Sequence, residues 1–278
     1  MESEAKIAIQ GNRGSFHHVV AKAYFGESVS LVICDTFDAT VQALIEGTAD
    51  QVVMAIENSI AGSIIPNYAL IDRHNLKIIG EYSLGIQHEL MALPGQQLAT
   101  IKEVHSHPMA LLQCKEFFKQ YPHIRLVEAE DTADEARRIG ENQIRGIGAI
   151  ASKEAASLYG MEILASSIQT IKNNITRFVI LQAQANPLDK IQVNKASLKF
   201  ILDHQRGSLA AVLNVMSDCQ LNLTKIQSLP VIEIPGKYAF FVDVTFDDFA
   251  HYDKARQLVS IMASEFKILG EYTQFKKG

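Results

Sequence analysis

The chain has 278 residues, of which 47% are hydrophobic and 21% charged, and its formal net charge at pH 7 is −5. This composition is typical of a soluble globular protein that is long enough for two domains. An acidic balance provides no basic surface for a phosphate backbone, so nucleic acid is disfavoured as a partner.

The cysteines and the first residues indicate the compartment. Cys34, Cys114 and Cys219 are far apart and form no CxxC spacing, which is typical of a reducing environment. The stretch MESEAKIAIQG leads directly into a predicted strand, without a basic region followed by an apolar one. No apolar run approaches the roughly 18 residues of a membrane span. We therefore expect a cytoplasmic protein with no membrane partner.

Between residues 6 and 182, short β-rich segments alternate with helical patterns. The β-rich segments are KIAIQG, LVICD, VVMAIEN, LKIIGEYSL, IQHELMAL, IKEVHSH, RLVEAED, GIGAIAS and RFVILQA. The alternation predicts α/β sheets whose strand ends carry the functional site. Ser15 and Thr36 are predicted to cap helices, and Thr132 with Glu135 is predicted to form a capping box.

A polar stretch at residues 182–196 interrupts this alternation, and Pro187 forbids a continuous central strand there. We place a domain boundary in it, with one domain at residues 1–185 and a second at 196–278. The second domain has the pattern of a βαββαβ unit. Its predicted elements are a strand at 197–203, a helix at 208–218, strands at 222–230 and 238–246, a helix at 252–265 and a strand at 266–275.

Both helices of the second domain have an apolar stripe at helical spacing. The stripes consist of Leu209, Val212, Leu213 and Met216, and of Ala255, Leu258, Val259 and Met262. The two helices are therefore predicted to cover one face of the sheet. The other face, predicted to hold Phe200, Phe240 and Val242, is expected to be partly open and to favour a dimer.

Two groups of polar residues lie where strands end and helices begin, the usual place for ligands in α/β sheets. In QGNRGSFHH, Gly11 and Gly14 permit a close turn, and the N–H groups ahead of the Ser15 helix could bind an anion. A plain strand-to-helix turn is the alternative, and the absence of GxGxxG disfavours a dinucleotide site. In AIENSIAGSI, Glu57, Asn58 and Ser59 directly follow an apolar strand. Ser59 or Asn58 could simply cap a helix, or the carboxylate and amide of Glu57 and Asn58 could be functional.

A third group is HSHPMALLQC, in which Ser106 and Pro108 are predicted to start a helix that carries Gln113. His105 and His107 alternate at the strand end, but no acidic or cysteine ligand has a spacing that would complete a metal site. Cys114 is predicted to be a small hydrophobic residue, since no neighbouring cation would lower its pKa.

The fourth group is KNNITRFVIL, in which polar side chains immediately precede a buried strand. Asn173, Asn174, Thr176 and Arg177 cannot all lie in a core, so they are predicted to sit at the mouth of the strand.

Taken in order, these stretches resemble prephenate dehydratase along residues 6–182. The series is GNRGSF, AIENSIAGSI, SLGIQHELMAL, HSHPMALLQC, EDTADEAR, GAIASKEAASLYG and NNITRFVIL. The tail, with GSL at 207–209 and QSLP at 227–230, resembles the ACT regulatory domain that follows in that family.

The resemblance implies a fold and an activity. It implies two α/β lobes similar to periplasmic solute-binding proteins, with the active site between them, followed by a ferredoxin-like ACT domain. The implied reaction removes carbon dioxide and water from prephenate to give phenylpyruvate, in phenylalanine biosynthesis, without metal or organic cofactor.

The resemblance also implies roles for individual residues. Thr176 is the residue most closely tied to expelling the ring hydroxyl, while Asn58, Ser106 and Gln113 correspond to the other polar site residues. Glu57 belongs to the same motif as Asn58. An alcohol is too weak an acid to act alone, so we expect Thr176 to hydrogen-bond the departing oxygen while Glu57 or a water supplies the proton.

The two carboxylates of prephenate are expected to be bound differently. Tight binding of the ring carboxylate would stabilise the ground state and slow decarboxylation. We therefore predict that Ser106 and the N–H groups near Gly14, Ser15 and Phe16 hold the pyruvyl carboxylate. The ring carboxylate is predicted to face a dry wall formed by Phe178 or Phe16. Arg177 is expected to anchor the site electrostatically, by touching substrate or by bracing the cleft.

The regulatory motifs depart from the family pattern. Gln227, Ser228, Leu229 and Pro230 stand where the family usually has Glu-Ser-Arg-Pro, and Gly207, Ser208 and Leu209 stand where it has Gly-Ala-Leu. The resemblance implies that L-phenylalanine binds as an effector at the interface of a homodimer or homotetramer. The loss of a Glu and an Arg leaves open a domain kept for dimerisation with an altered effector response.

Two other functions remain alternatives. Arogenate has an amine where prephenate has a keto group, and a cleft carboxylate placed to pair that ammonium would favour arogenate. A two-lobed ligand-binding or sensor protein with an ACT module is the other alternative. The retained polar series and the lack of an export signal disfavour it.

Overall fold

The protein is described by a computed structural model, which covers residues 5–184, 189–203, 205–231, 234 and 236–275. The chain forms two compact units, each from two stretches of sequence. Unit 1 consists of Met1–Gly62 and Ser83–Phe178, and unit 2 of Ser63–Tyr82 and Val179–Gly278.

The predicted domain boundary is only partly covered by the described residues. Pro187 lies outside them, and the division into residues 1–185 and 196–278 stays a prediction. Unit 2 includes Ser63–Tyr82, a stretch that the sequence pattern assigned to the first domain.

The strands and helices follow one another in the alternation that the sequence predicts. The strands are β1 (Lys6–Gln10), β2 (Ser30–Cys34), β3 (Gln51–Asn58), β4 (Gly62–Ser63), β5 (Lys77–Gly85), β6 (Glu89–Ala92), β7 (Glu103–Ser106), β8 (Arg125–Glu128), β9 (Ile147–Ala151), β10 (Glu162–Ala165), β11 (Ile175–Gln182), β12 (Lys195–Ile201), β13 (Asn222–Pro230), β14 (Tyr238–Thr245) and β15 (Glu265–Tyr272). The helices are α1 (Phe16–Phe25), α2 (Phe37–Ile45), α3 (Ile65–Arg73), α4 (Pro108–Phe118), α5 (Thr132–Glu141), α6 (Lys153–Leu158), α7 (Ser208–Asp218) and α8 (Phe249–Met262), with a 3₁₀ turn at Leu98–Thr100.

The first sheet of unit 1 is parallel, with β1 between β2 and β3. Helices α1 and α2 pack on it, which completely buries Ile7, Ala8 and Ile9 and explains why β1 is a continuous apolar run. Next to β3 lies β11, and the N–H of Ser59 donates to the carbonyl of Ile175 over 2.8 Å. The end of β3 and the start of β11 therefore meet.

The second sheet of unit 1 has the order β10, β6, β9, β7, β8. Strands β7, β8 and β9 are parallel, whereas β6 runs antiparallel to β9 and β10. One apolar core lies on the side of α4 and includes Leu90, Val104, Leu111 and Ile150. The other lies on the side of α5 and α6 and includes Met91, Ala136, Ala149 and Ala155.

The helix starts in unit 1 follow short polar side chains, as the sequence predicts in two of three cases. Ser15 and Thr36 cap α1 and α2 by accepting hydrogen bonds from backbone N–H groups. The predicted capping box of Thr132 with Glu135 is wrong. Asp131 caps α5 instead, because its carboxylate accepts from two N–H groups of the first turn.

The C-terminal part of unit 2 is a βαββαβ arrangement, as predicted. Its strands have the order β13, β14, β12, β15, and each neighbouring pair is antiparallel. The buried residues of the two helices are Val212 and Met216 in α7, and Tyr252, Ala255 and Val259 in α8. The predicted stripe on α8 is therefore displaced, since Leu258 and Met262 are each 39% exposed.

The prediction of a partly open sheet face is wrong. Phe200, Phe240 and Val242 pack in the same core as the helices, because they belong to the opposite set of alternating strand residues from the one predicted. The other face is polar, and β12 is buried along its whole length. Within unit 2, the stretch Ser63–Tyr82 packs against that face.

Ion pairs hold Ser63–Tyr82 to the sheet. Nζ of Lys195 lies 2.7 Å from a carboxylate oxygen of Glu81, and these side chains are only 6% and 3% exposed. Asp72 accepts from Lys199 at 2.7 Å and from Lys267 at 2.9 Å. None of the described helices combines the length and the apolar character that a membrane crossing requires.

Candidate active site

Polar side chains from β3 and β11 meet in unit 1. Asn174 and Thr176, two residues apart at the start of β11, are 1% and 8% exposed. Nδ2 of Asn58 donates to both, over 2.7 Å to Oδ1 of Asn174 and 2.8 Å to Oγ1 of Thr176. Two of the polar residues at the mouth of this strand are thus linked to the motif that ends β3.

Helix α4 and the residue before β6 extend this contact. Nδ2 of Asn174 donates over 2.9 Å to Oε1 of Gln113, and the same oxygen lies 2.9 Å from Nε2 of His88. We call the set His88, Gln113, Asn174, Asn58 and Thr176 the polar network. It joins residues in or directly before strands of both sheets of unit 1 with a residue of α4.

The direction of the hydrogen bonds at Thr176 follows from one fixed point. Oδ1 of Asn58 accepts from the backbone N–H groups of Ile60 and Ala61, each at 2.9 Å. Because a backbone N–H can only donate, Nδ2 of Asn58 must be the donor to Asn174 and to Thr176. Thr176 therefore accepts this bond and retains its own O–H for donation to another group.

The same argument fixes the protonation of His88. Since Oδ1 of Asn174 accepts, its Nδ2 must donate to Gln113, and Oε1 of Gln113 can then accept only from an N–H of His88. The ring thus has its proton on Nε2 and an acceptor lone pair on Nδ1. Burial lowers the pKa of His88, although the hydrogen bond with Gln113 acts in the opposite direction. The polar network is therefore uncharged at neutral pH.

Ser106 lies at the end of β7 and is completely buried. Its hydroxyl donates over 2.7 Å to the carbonyl of Ile150, so it is not part of the polar network. Helix α4 begins at Pro108, one of the two residues predicted to start it, and its cap is His107, whose Nδ1 accepts from the N–H of Met109. The predicted contact of Ser106 with substrate stays a prediction.

Glu57 and Arg177 flank the polar network as neighbours of Asn58 and Thr176. Nε of Arg177 is 3.9 Å from Oε2 of Glu57, with side-chain exposures of 14% and 31%. This pair braces β3 against β11. The proton donation predicted for Glu57 and the substrate contact predicted for Arg177 stay predictions.

The turn before α1 uses two of its N–H groups internally. The N–H of Gly14 donates to Nδ1 of His18 over 2.9 Å, and that of Ser15 donates to the carbonyl of residue 12 over 3.0 Å. Neither of these two groups is available to a substrate carboxylate, so the anion site predicted here lacks two of its expected donors. Gly14 has φ +87°, and a Cβ there would lie 2.8 Å from Cα of Ala155, so the close approach requires glycine.

The two candidate wall residues have different surroundings. The ring of Phe16 meets the ring of His88 edge-on, with centroids 5.7 Å apart. Phe178 is 1% exposed and packs 5.1 Å from His17, whose pKa burial lowers to about 4. Phe16 therefore borders the polar network, whereas Phe178 lies in the core of unit 1.

The residues considered above as metal ligands or as a nucleophile have other surroundings. Among the described residues, no cluster of three His, Cys, Asp or Glu side chains could hold a metal ion, and Nε2 of His105 lies 2.9 Å from Glu103. Cys114 is buried, and burial raises the pKa of its thiol to about 12. It is a small core residue, as predicted.

The predicted effector residues lie in unit 2. Gly207 is the N-cap of α7, with φ +83°, and is followed by Ser208 and the half-buried Leu209. Gln227 and Ser228 lie in β13, at the end of the strand order, where the side chain of Gln227 donates to the carbonyl of Ser228 over 3.0 Å.

A family model described as prephenate dehydratase matches residues 7–186, a stretch that contains every member of the polar network. The chain belongs to the prephenate dehydratase family. Membership confirms the predicted enzyme class, a lyase of aromatic amino acid biosynthesis.

Relatives in this family bear the names of two activities. Arogenate dehydratase/prephenate dehydratase 2 of Arabidopsis thaliana is 34% identical over 97% of this chain. The chain spans 73% of that relative's length, and for other curated relatives the share falls to 54%.

Solved structures share the fold of this prephenate dehydratase family member. One, described as GqqA, a novel type of quorum quenching acylase, is 27% identical, with a TM-score of 0.87, and the match covers 97% of this chain and 98% of that one. Another, prephenate dehydratase of Arthrobacter aurescens in complex with L-Phe, is 24% identical. Its TM-score is 0.87, with 96% of this chain and 89% of that one covered.

Two members of the polar network, His88 and Asn174, were not predicted as site residues. Asn174 could have been found, because residues two apart at a strand share a face and Thr176 was already a candidate. His88 gave no local indication, since it stands in the largely apolar stretch GIQHELMAL. Only its contact with Gln113 reveals it.

Proposed function

We propose that this chain converts prephenate to phenylpyruvate, carbon dioxide and water, with the polar network as its active centre. One observation carries the proposal. The hydroxyl of Thr176 accepts a hydrogen bond from Asn58 and so retains its proton for donation. A buried, oriented O–H donor is the group that a departing hydroxyl needs.

The chemistry requires little more than this donor. The bond between the ring and its carboxylate breaks and releases carbon dioxide, and its electron pair becomes part of the aromatic ring as the C–OH bond breaks. The departing oxygen takes up one proton, which Glu57 or a water supplies in this proposal, and leaves as water. Thr176 stabilises the negative charge that develops on this oxygen, and the hydrogen bond from Asn58 polarises the hydroxyl and strengthens its donation.

Gln113 complements Thr176. Its oxygen is occupied by Asn174 and His88, so the side chain has only its Nε2 group to offer a ligand. Nε2 donates and cannot accept, which suits a substrate carboxylate. We assign the dry wall for the ring carboxylate to Phe16, because Phe178 is packed in the core.

An amide hydrolase would require a different arrangement around Thr176. A hydroxyl nucleophile needs a neighbouring base that removes its proton. The neighbour of Thr176 is an amide N–H donor, and the imidazole of His88 contacts Gln113 instead. These contacts favour a dehydratase over the acylase activity named for one structural relative.

We also propose that the βαββαβ part of unit 2 is an ACT domain that binds L-phenylalanine, and that the two sheets of unit 1 are the two predicted lobes. The structural relative with L-Phe supports this assignment, as do the GSL and QSLP motifs. Gln227 stands where the family has a glutamate, so we expect weaker binding of the amino group. Titration calorimetry with L-phenylalanine tests the proposal, and the absence of any binding heat at millimolar ligand would contradict it.

The activity itself is tested with purified protein and prephenate. We expect phenylpyruvate and carbon dioxide in equal amounts, at a rate far above that of the uncatalysed reaction. The variant Thr224→Val removes a threonine hydroxyl outside the polar network, one that bonds the carbonyl of Asp243 in unit 2. It is the control for replacing Thr176 by valine and should retain full activity. Consumption of prephenate at the background rate would contradict the proposal.

A further inference from the structure

Glu89, the first residue of β6, is a buried carboxylic acid, one of whose oxygens has no hydrogen-bond partner among the described residues. It is 3% exposed, and the oxygen without a partner is Oε2. Burying a carboxylate without compensation is costly. Such a group indicates a ligand that supplies what the protein does not.

Glu89 lies at the ligand-binding edge of the second sheet of unit 1. It pairs with Ala151 across β6 and β9, and Ala151 is the last residue of β9. Since β9 runs parallel to β7 and β8, Glu89 stands at the carboxyl ends of three parallel strands. Ligands of α/β sheets bind at that edge.

The residues on either side connect Glu89 to the candidate active site. His88, immediately before it, contacts Gln113 and the ring of Phe16. Ser152, immediately after its partner Ala151, donates to the carbonyl of Gly14. Glu89 and its partner Ala151 therefore adjoin, along the chain, residues that contact the polar network and the glycine turn that precedes α1, and the side chain of Glu89 lies on the α5 and α6 side of the sheet.

Two buried acceptor atoms in this region have no donor among the described residues. Nδ1 of His88 is also buried without a partner in the described part of the chain, and the proton on Nε2 makes Nδ1 an acceptor. The keto group of prephenate has no hydrogen to donate, and Glu89 would repel the carboxylates of prephenate. An ammonium group has three donors, no acceptor and a positive charge.

We propose that Glu89 binds the ammonium group of an amino-acid substrate, so that this dehydratase accepts arogenate through Glu89. The inference rests on the proposed function, since the ring hydroxyl of either substrate is expected at Thr176. Glu89 is then a specificity-determining residue, which acts on one substrate and not on the reaction common to both.

The test compares kcat/KM for arogenate and for prephenate in the unmodified protein and in Glu89→Gln, which keeps the shape of the side chain and removes its charge. Losing one partner of a buried charge pair costs about 30-fold or more. We expect kcat/KM for arogenate to fall by at least that factor, while kcat/KM for prephenate stays within about threefold. The control Glu128→Gln removes an exposed carboxylate at the same edge, at the end of β8, and should change neither value.

Prephenate turnover by the Glu89→Gln variant also reports that it is folded. Equal losses on both substrates, or no loss on arogenate, would overturn the role of Glu89. An unmodified protein that converts prephenate but not arogenate would overturn the role and leave the dehydratase function intact. A protein inactive on both compounds would instead overturn the proposed function.

Discussion

Replacing Thr176 by valine removes the hydroxyl that we place over the departing oxygen and keeps the volume of the side chain. A preorganised donor to a developing negative charge contributes roughly 10²–10³ in kcat, or about 3–4 kcal/mol. The same change removes one hydrogen bond in the folded protein, which costs about 1 kcal/mol. Because Nδ2 of Asn58 keeps its contact with Asn174, we expect the variant to fold.

The assay follows phenylpyruvate as a function of prephenate concentration. For Thr176→Val we expect kcat to fall by about 100-fold to 1,000-fold and KM to change by less than about threefold, since an interaction made mainly in the transition state is lost. Thr176→Ser retains the donor and should recover most of the rate. A valine variant with near-normal kcat would refute the assignment, as would a serine variant as slow as the valine one.

Three further predictions concern unit 2, the core and the cysteines. Lys195→Met removes the lysine that pairs with the buried Glu81, so urea denaturation should show a loss of about 3–5 kcal/mol, largely recovered when Glu81→Leu is added. Burial lowers the pKa of His17 from 6.5 to about 4, so the unfolded state binds more protons between these values. Stability should fall by up to about 3 kcal/mol as the pH drops from 6.5 to 4, and less so in His17→Phe; equal pH profiles would contradict this. Cys114 should resist alkylation at pH 8 until the protein is denatured, and rapid labelling of this thiol in native protein would show that it is not buried.

The sequence predicted elements well wherever the determining contacts are local. Helix α7 is observed at Ser208–Asp218, as predicted, because the residues before it and its apolar spacing define it. Helix α8 begins at Phe249, ahead of the predicted residue 252, because Asp248 caps it. The prediction of Thr132 instead of Asp131 as the cap of α5 is also wrong by one residue in a local contact.

Long-range contacts limited the prediction of the site. Thr176, Asn58 and Gln113 were found by resemblance, and they share one network. His88 was missed, because its role depends on an atom of Gln113, 25 residues away. Ser106 looks the same in sequence whether its hydroxyl faces a ligand or the carbonyl of Ile150. The apolar residues of β12 were predicted on the open face of the sheet, whereas they face the helices. Successive residues of a strand point to opposite faces, so an error of one residue exchanges the two faces.

The insertion of Ser63–Tyr82 into unit 2 determines how this protein can be divided. Glu81 and Lys195 are separated by 114 residues, so a single cleavage at the polar stretch near residue 185 would place the two ions on different fragments. The C-terminal fragment would hold Lys195 and Lys267, and the N-terminal fragment would hold their partners Glu81 and Asp72 together with α3, which packs against the sheet of the other fragment. Exchanging the C-terminal third with that of a relative therefore requires transplanting α3 and the first part of β5 as well.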